Sequence, residues 1–171
     1  CEAEKMIEET GMPVSINIGS NQLRKSKFLD KVEALMNRDP AKRGKLVLEL
    51  LERQDPSHIE GIQSFIQRAK ALSCKIAIDD FGSGYANFLN LFYMHIDIVK
   101  LDGRLVSVVM EDERIRGLIE GLIRYCGHMG SEIVAEWVDS PELASFMEAL
   151  GVDYMQGYHF GKPEEKIVQL A

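Results

Sequence analysis

Six times along this 171-residue chain a short, largely β-branched run ends in or near a polar or acidic residue, and a longer amphipathic stretch separates it from the next. The runs cover residues 14–18, 46–50, 76–80, 98–102, 133–136 and, least strand-like, 154–157. Between them Ile59, Ile62, Phe65, Ile66 and Ala69 recur at helical spacing, behind Ser57 and Glu60 at the spacing of a capping box. Ile115, Leu118, Ile119, Leu122 and Ile123 mark one face of a helix over residues 112–126. Ser140-Pro141-Glu142 opens a further helix and Gly151 closes it. Short strands alternating with helices specify βα units and a parallel sheet.

Two architectures satisfy that pattern: a doubly wound open sheet and a (β/α)₈ barrel. A Gly-rich phosphate loop after the first strand would favour the open sheet, and none is present. The barrel explains why Asn17, Glu49, Asp79, Asp80, Lys100, Glu136 and Gln156 stand at or near strand C-terminal ends, because those ends converge on one rim. A complete barrel takes roughly 250 residues. The expected fold is therefore α/β, a TIM-type barrel with six βα units present and its first strands missing. Residues 1–171 are read as one partial domain, a piece of a longer polypeptide. Such a barrel exposes two strand edges, which calls for self-association or an upstream segment that closes them.

Composition narrows the partners. Lys and Arg number 20 against 27 Asp and Glu, a formal net charge of −7, which argues against a nucleic-acid polymer or an anionic membrane. Cys1, Cys74 and Cys126 form neither a disulfide framework nor a zinc spacing, and a reducing, cytoplasmic compartment is expected. No apolar run approaches the ~20 residues of a membrane helix. His58, His95, His128 and His159 lack metal-ligand spacing.

Four carboxylates on one rim repel each other and hold protons unless cations relieve them. Oxygen-only ligands suit Mg²⁺, Mn²⁺ or Ca²⁺ rather than zinc, and Asn17 can add a neutral oxygen. Asp79 and Asp80 cannot both point inward from a straight strand. If the strand ends between them, the second acid can turn inward over the rim. Lys100 beside the cluster can orient a water and offset negative charge, and two metals with a shared water are suited to attack on a phosphodiester. Taken singly, each acid also fits a helix cap or a solvated loop, and Lys100 a snorkelling surface lysine. Their joint occurrence on successive strands carries the reading.

At these residues the sequence resembles the EAL domain family, the cyclic-di-GMP phosphodiesterases of bacterial signalling, from about residue 5 to Pro163. Residues 79–85 resemble DDFGTGY, with Ser83 for Thr, residues 96–103 resemble VDxLKIDG, residues 156–163 resemble QGYYFSKP, and residues 14–23 resemble VSVNLSARQL. The resemblance implies hydrolysis of cyclic-di-GMP to linear pGpG with two Mg²⁺ or Mn²⁺ ions. It implies metal binding by Asn17, Glu49, Asp79, Asp80 and Glu136. Catalytic roles fall to Lys100, Glu136 and Gln156, and substrate contacts to Gly157, Tyr158, Lys162 and Pro163. The loop Phe81, Gly82, Ser83, Gly84 and Tyr85, with Asp139, is implied to couple metal binding to dimer contacts. A homodimer and additional sensory or signalling domains are implied, with membrane tethering left to segments outside this chain.

Departures from the family pattern define the alternative. The strand that names the family, with its metal-binding Glu, is expected to precede residue 1. The family's EITE reads Glu49-Leu50-Leu51-Glu52, and its AEGVE reads Ala135-Glu136-Trp137-Val138-Asp139. Trp137 thus replaces a Gly, and the shorter Asp139 replaces a Glu that braces Ser83. One reading is a working phosphodiesterase whose isolated fragment turns over weakly or not at all. The other is a degenerate relative that binds the dinucleotide or a protein partner without hydrolysis. A Schiff-base lysine enzyme using Lys100 is disfavoured, since that chemistry wants a desolvated lysine away from acids.

Overall fold

Successive residues of a strand face opposite sides of its sheet, and the β-branched runs use this to separate two environments. The computed structural model describes residues 2–19, 23, 27–51, 59–83, 91 and 94–164. Its strands are β1 (Val14–Ile18), β2 (Leu46–Leu51), β3 (Lys75–Phe81), β4 (Ile98–Leu101), β5 (Glu132–Ala135) and β6 (Tyr154–Met155). Ile18, Leu46, Leu48, Leu50, Ile76, Ile78, Val99, Leu101, Ile133 and Ala135 face one way and join a single core with the helices. The alternate residues, Asn17, Glu49, Asp79 and Lys100 among them, line the other face.

The helices described over their full length are α1 (Glu2–Thr10), α2 (Lys27–Arg38), α3 (Ile59–Ala71), α4 (Gly103–Val106), α5 (Glu113–Met129) and α6 (Pro141–Leu150), with a 3₁₀ turn at Pro40–Lys42. Caps set their limits. The Ser140 hydroxyl accepts from the Leu143 N–H at 3.2 Å, and Gly151 ends α6 in the left-handed conformation at φ 93°. Asp112 caps α5 and Gly130 ends it. The expected cap at Ser57 lies outside the described residues, as do Cys1, Glu52 and His58.

All six strands are parallel and neighbours in space follow chain order, β1 to β6. This sequential order excludes the doubly wound alternative, and gives an arc of six parallel strands with helices between them, like part of a TIM barrel. Two aspartates to which the sequence reading gave no role pin the register from below. Asp97, just before β4, accepts from the Ile76 N–H of β3 at 2.8 Å, and Asp153, just before β6, accepts from the Ile133 N–H of β5 at 2.7 Å. No helix among the described residues is long and apolar enough to cross a membrane.

Candidate functional site

The strand carrying Asp79 and Asp80 does not end between them, so the condition set by alternation is met in another way. β3 runs on to Phe81 and is bulged instead. Ile78 pairs with Val99 and Phe81 with Leu101, so Asp79 and Asp80 together oppose the single residue Lys100. A bulge of this kind re-aims side chains that alternation would send apart. Asp80 absorbs the extra residue in the left-handed region, at φ 56°. Asp79, Asp80 and Glu136 consequently offer carboxylate oxygens within 4.8 Å of one another.

Lys100 binds this group from the neighbouring strand. Its Nζ lies 2.6 Å from Asp79 Oδ1, 2.8 Å from Glu136 Oε1 and 3.4 Å from Glu49 Oε2. Glu49, Lys100 and Glu136 are buried. Burial pulls the Lys100 ammonium down, but hydrogen bonds to Asp79 and Glu136 and the nearby charges outweigh it and hold it above the usual lysine range. Burial, with the charges of Asp79 and Asp80, raises the Glu136 carboxyl above its usual range against the pull of Lys100. A lone ammonium cannot neutralise four carboxylates. The donor set is oxygen-only and already holds one cation among its acids, so its chemistry fits a hard divalent ion.

Beyond β5 the chain crosses closely over the start of the segment that follows β6. The Val138 N–H donates to Gln156 O at 3.1 Å, and the His159 N–H to Val138 O at 3.1 Å. Gly157 is required here, because a Cβ would fall 2.1 Å from Val138 O and 2.4 Å from Val138 N. The crossing builds a cleft of about 1040 Å³ lined by Glu136, Trp137, Asp139, Gln156, Gly157, Tyr158, Lys162 and Pro163, together with Met155, Phe160 and Gly161.

Asp102 organises the start of α4. It accepts from the Arg104 backbone N–H at 2.7 Å and from Nε and Nη2 of the Arg104 guanidinium. Arg104 in turn donates to the Ser83 carbonyl at 3.1 Å, and the Asp102 N–H to Phe81 O at 3.0 Å. These bonds anchor the loop after β3, where Gly82 adopts φ 94° with the Leu105 side chain beside it.

The sequence model of the EAL domain, a family description, matches residues 2–163. The chain belongs to the EAL domain family. It is 29% identical over 153 residues to cyclic di-GMP phosphodiesterase PdeF of Escherichia coli (strain K12), covering 90% of this chain and 20% of PdeF. This EAL domain thus spans about a fifth of that relative's length. The crystal structure of an EAL domain protein from Listeria monocytogenes EGD-e superposes with a TM-score of 0.82 at 28% identity, over 95% of this chain and 65% of that one. The FimX EAL domain from Pseudomonas aeruginosa, bound to c-di-GMP, superposes at 0.87 over 96% of this chain and 68% of that one. At 20% identity that likeness shows the fold.

Within this EAL domain Asp79, Asp80, Lys100, Glu49 and Glu136 meet, whereas Asn17 and Gln156 flank them. Asn17 pairs with Glu49 in strand register and is exposed. Gln156 lines the cleft beside Glu136. Asp139 is exposed in the same cleft. Phe81, Gly82 and Ser83 belong to the anchored loop, while Gly84 and Tyr85 lie outside the described residues. The tripeptide Glu-Ala-Leu does occur in the chain, at residues 33–35 and 148–150. Both copies sit in helices, α2 and α6, rather than at a strand end, and Glu33 pairs with Arg68 at 3.0 Å. The sequence reading missed the Asp102–Arg104 fork. Asp102 ended a strand run and lay in the matched stretch 96–103, but an Asp two residues ahead of an Arg at a helix start is a common surface pattern.

Proposed function

We propose that this EAL domain hydrolyses cyclic-di-GMP to linear pGpG with two Mg²⁺ or Mn²⁺ ions, as part of a longer signalling protein in the cytoplasm. The observation that carries the reading is the convergence of the Asp79, Asp80 and Glu136 carboxylates, two of them paired with the Lys100 ammonium. The relative PdeF, a cyclic di-GMP phosphodiesterase by name, supports the substrate. Asp79, Asp80, Glu136 and Glu49, with Asn17, hold the ions. Once bound, those ions lower the pKa of a water and withdraw charge from the phosphate. Lys100 would orient that water with its ammonium protons and offset the negative charge of the acids. Gln156 holds water or substrate. Gly157, Tyr158, Lys162 and Pro163 form the far wall, where the Lys162 ammonium, 5.4 Å from the Tyr158 ring centroid, faces an anionic ligand. The loop from Phe81 through Gly84 and Tyr85, with Asp139, couples the site to a second copy of the chain.

One observation favours a second reading. Trp137 stands where the resembled pattern has Gly, on the site's own rim. A degenerate EAL domain would bind the dinucleotide, or a protein, without cleaving it. Incubating the longer protein with cyclic-di-GMP and Mn²⁺, and separating products by chromatography, distinguishes the two. Metal-dependent pGpG formation, abolished by a chelator, is expected. Tight binding without product would favour the sensor.

A further inference from the structure

We infer that Trp137 is a stacking wall for a planar purine base at the lip of the acidic site, and so a specificity-determining residue of this domain. The inference rests on the phosphodiesterase reading and extends it.

Trp137 is the chain's single tryptophan and directly follows the buried Glu136. Its backbone sits in the left-handed region at φ 57°, which a bulky side chain rarely occupies. Such conformations persist where the surroundings hold them, and they cluster at ligand sites. Here the surroundings are visible. The indole lies against Gly103, where an added Cβ would fall 2.1 Å from both Cγ and Cδ2. Gly103 therefore supplies the flat backing that any other residue would block. The indole is nevertheless 60% exposed, and the exposed part opens into the cleft that Glu136 and Gln156 also line.

A backed, outward-facing ring one residue from a phosphate-handling carboxylate has a direct use. Phosphodiester linkages held at the acidic cluster bring their attached bases to the adjoining wall. Every base offers a π-face to an aromatic ring, and the larger purines offer more of it. Tyr158 and Phe160, 67% and 46% exposed, line the same cleft and enlarge the aromatic surface.

The test uses calorimetry with a phosphorothioate-linked cyclic-di-GMP analogue in Mn²⁺, on wild type, Trp137→Gly and Trp137→Phe. Glycine suits φ 57°, so Trp137→Gly is expected to unfold no earlier than wild type on heating. It should bind about tenfold more weakly, the scale of one lost stacking contact. Trp137→Phe should retain most of the affinity. In wild type the single-tryptophan fluorescence should change on saturation with the analogue. Unchanged fluorescence, or equal affinity in Trp137→Gly, would overturn the stacking role while leaving the phosphodiesterase reading intact. No binding by wild type would overturn that reading and the inference with it.

Discussion

Lys100 answers to three acids at once, from β2, from β3 and from the segment after β5, and the whole site depends on that ammonium. Removing one partner of a buried ion pair strands the other charge and costs roughly 3–5 kcal/mol. The Lys100→Met variant should therefore lose stability on that scale in the absence of metal. Mn²⁺ should restore part of the loss, since a divalent ion replaces the missing positive charge. Thermal denaturation with and without Mn²⁺ checks both, and a variant as stable as wild type without metal would count against the cluster. The raised Glu136 carboxyl gives a second consequence. A carboxyl held above its ordinary range takes up its proton at higher pH, so protons compete with metal earlier on acidification. Mn²⁺ affinity should fall from neutral to mildly acidic pH, and Glu136→Gln should flatten that dependence. The rim residues were legible in the sequence because strand-end polar residues converge in any βα barrel. Trp137 was legible only as a departure, since nothing in a sequence announces a left-handed tryptophan backed by a glycine some 34 residues earlier.

Among the elements, β3 carries the most information. Alternation predicted that Asp80 would point away unless the strand stopped, and the bulge between Ile78 and Phe81 is how the strand continues while both acids reach the rim. Bulges have no firm sequence signature, so this part of the site was hidden. The left-handed Asp80 makes the claim testable. Asp80→Gly should fold as well as wild type while lowering metal affinity. Asp80→Val puts a β-branched residue at positive φ and should cost about 1–3 kcal/mol. Urea denaturation compares the two, and equal midpoints would argue against the bulge conformation. The helix ends were easier, because Ser140-Pro141 and Gly151 name a start and a stop by side-chain chemistry alone. The strand ties at Asp97 and Asp153 were missed, since an Asp before a strand reads as an ordinary loop residue.

At the scale of the molecule, the sheet keeps its two jobs on two faces. The core lies between the strands and the helices, and the acids lie on the other side. Leu48, fully buried on the core face, should cost about 2–5 kcal/mol when changed to Ala, yet leave the Mn²⁺ affinity of the folded protein unchanged. Loss of metal binding in that folded variant would mean that the two faces are not independent. Parallel strands were legible from the repeated βα pattern, and their sequential order from the polar residues at successive strand ends, an order that brings residues from β1 through β6 to one rim. The central claim is that this rim holds divalent ions. Isothermal titration of Mn²⁺ into this chain and its Asp79→Asn variant tests it most directly. The account predicts binding by the wild type and its loss in Asp79→Asn. Equal affinity in the two proteins would contradict it.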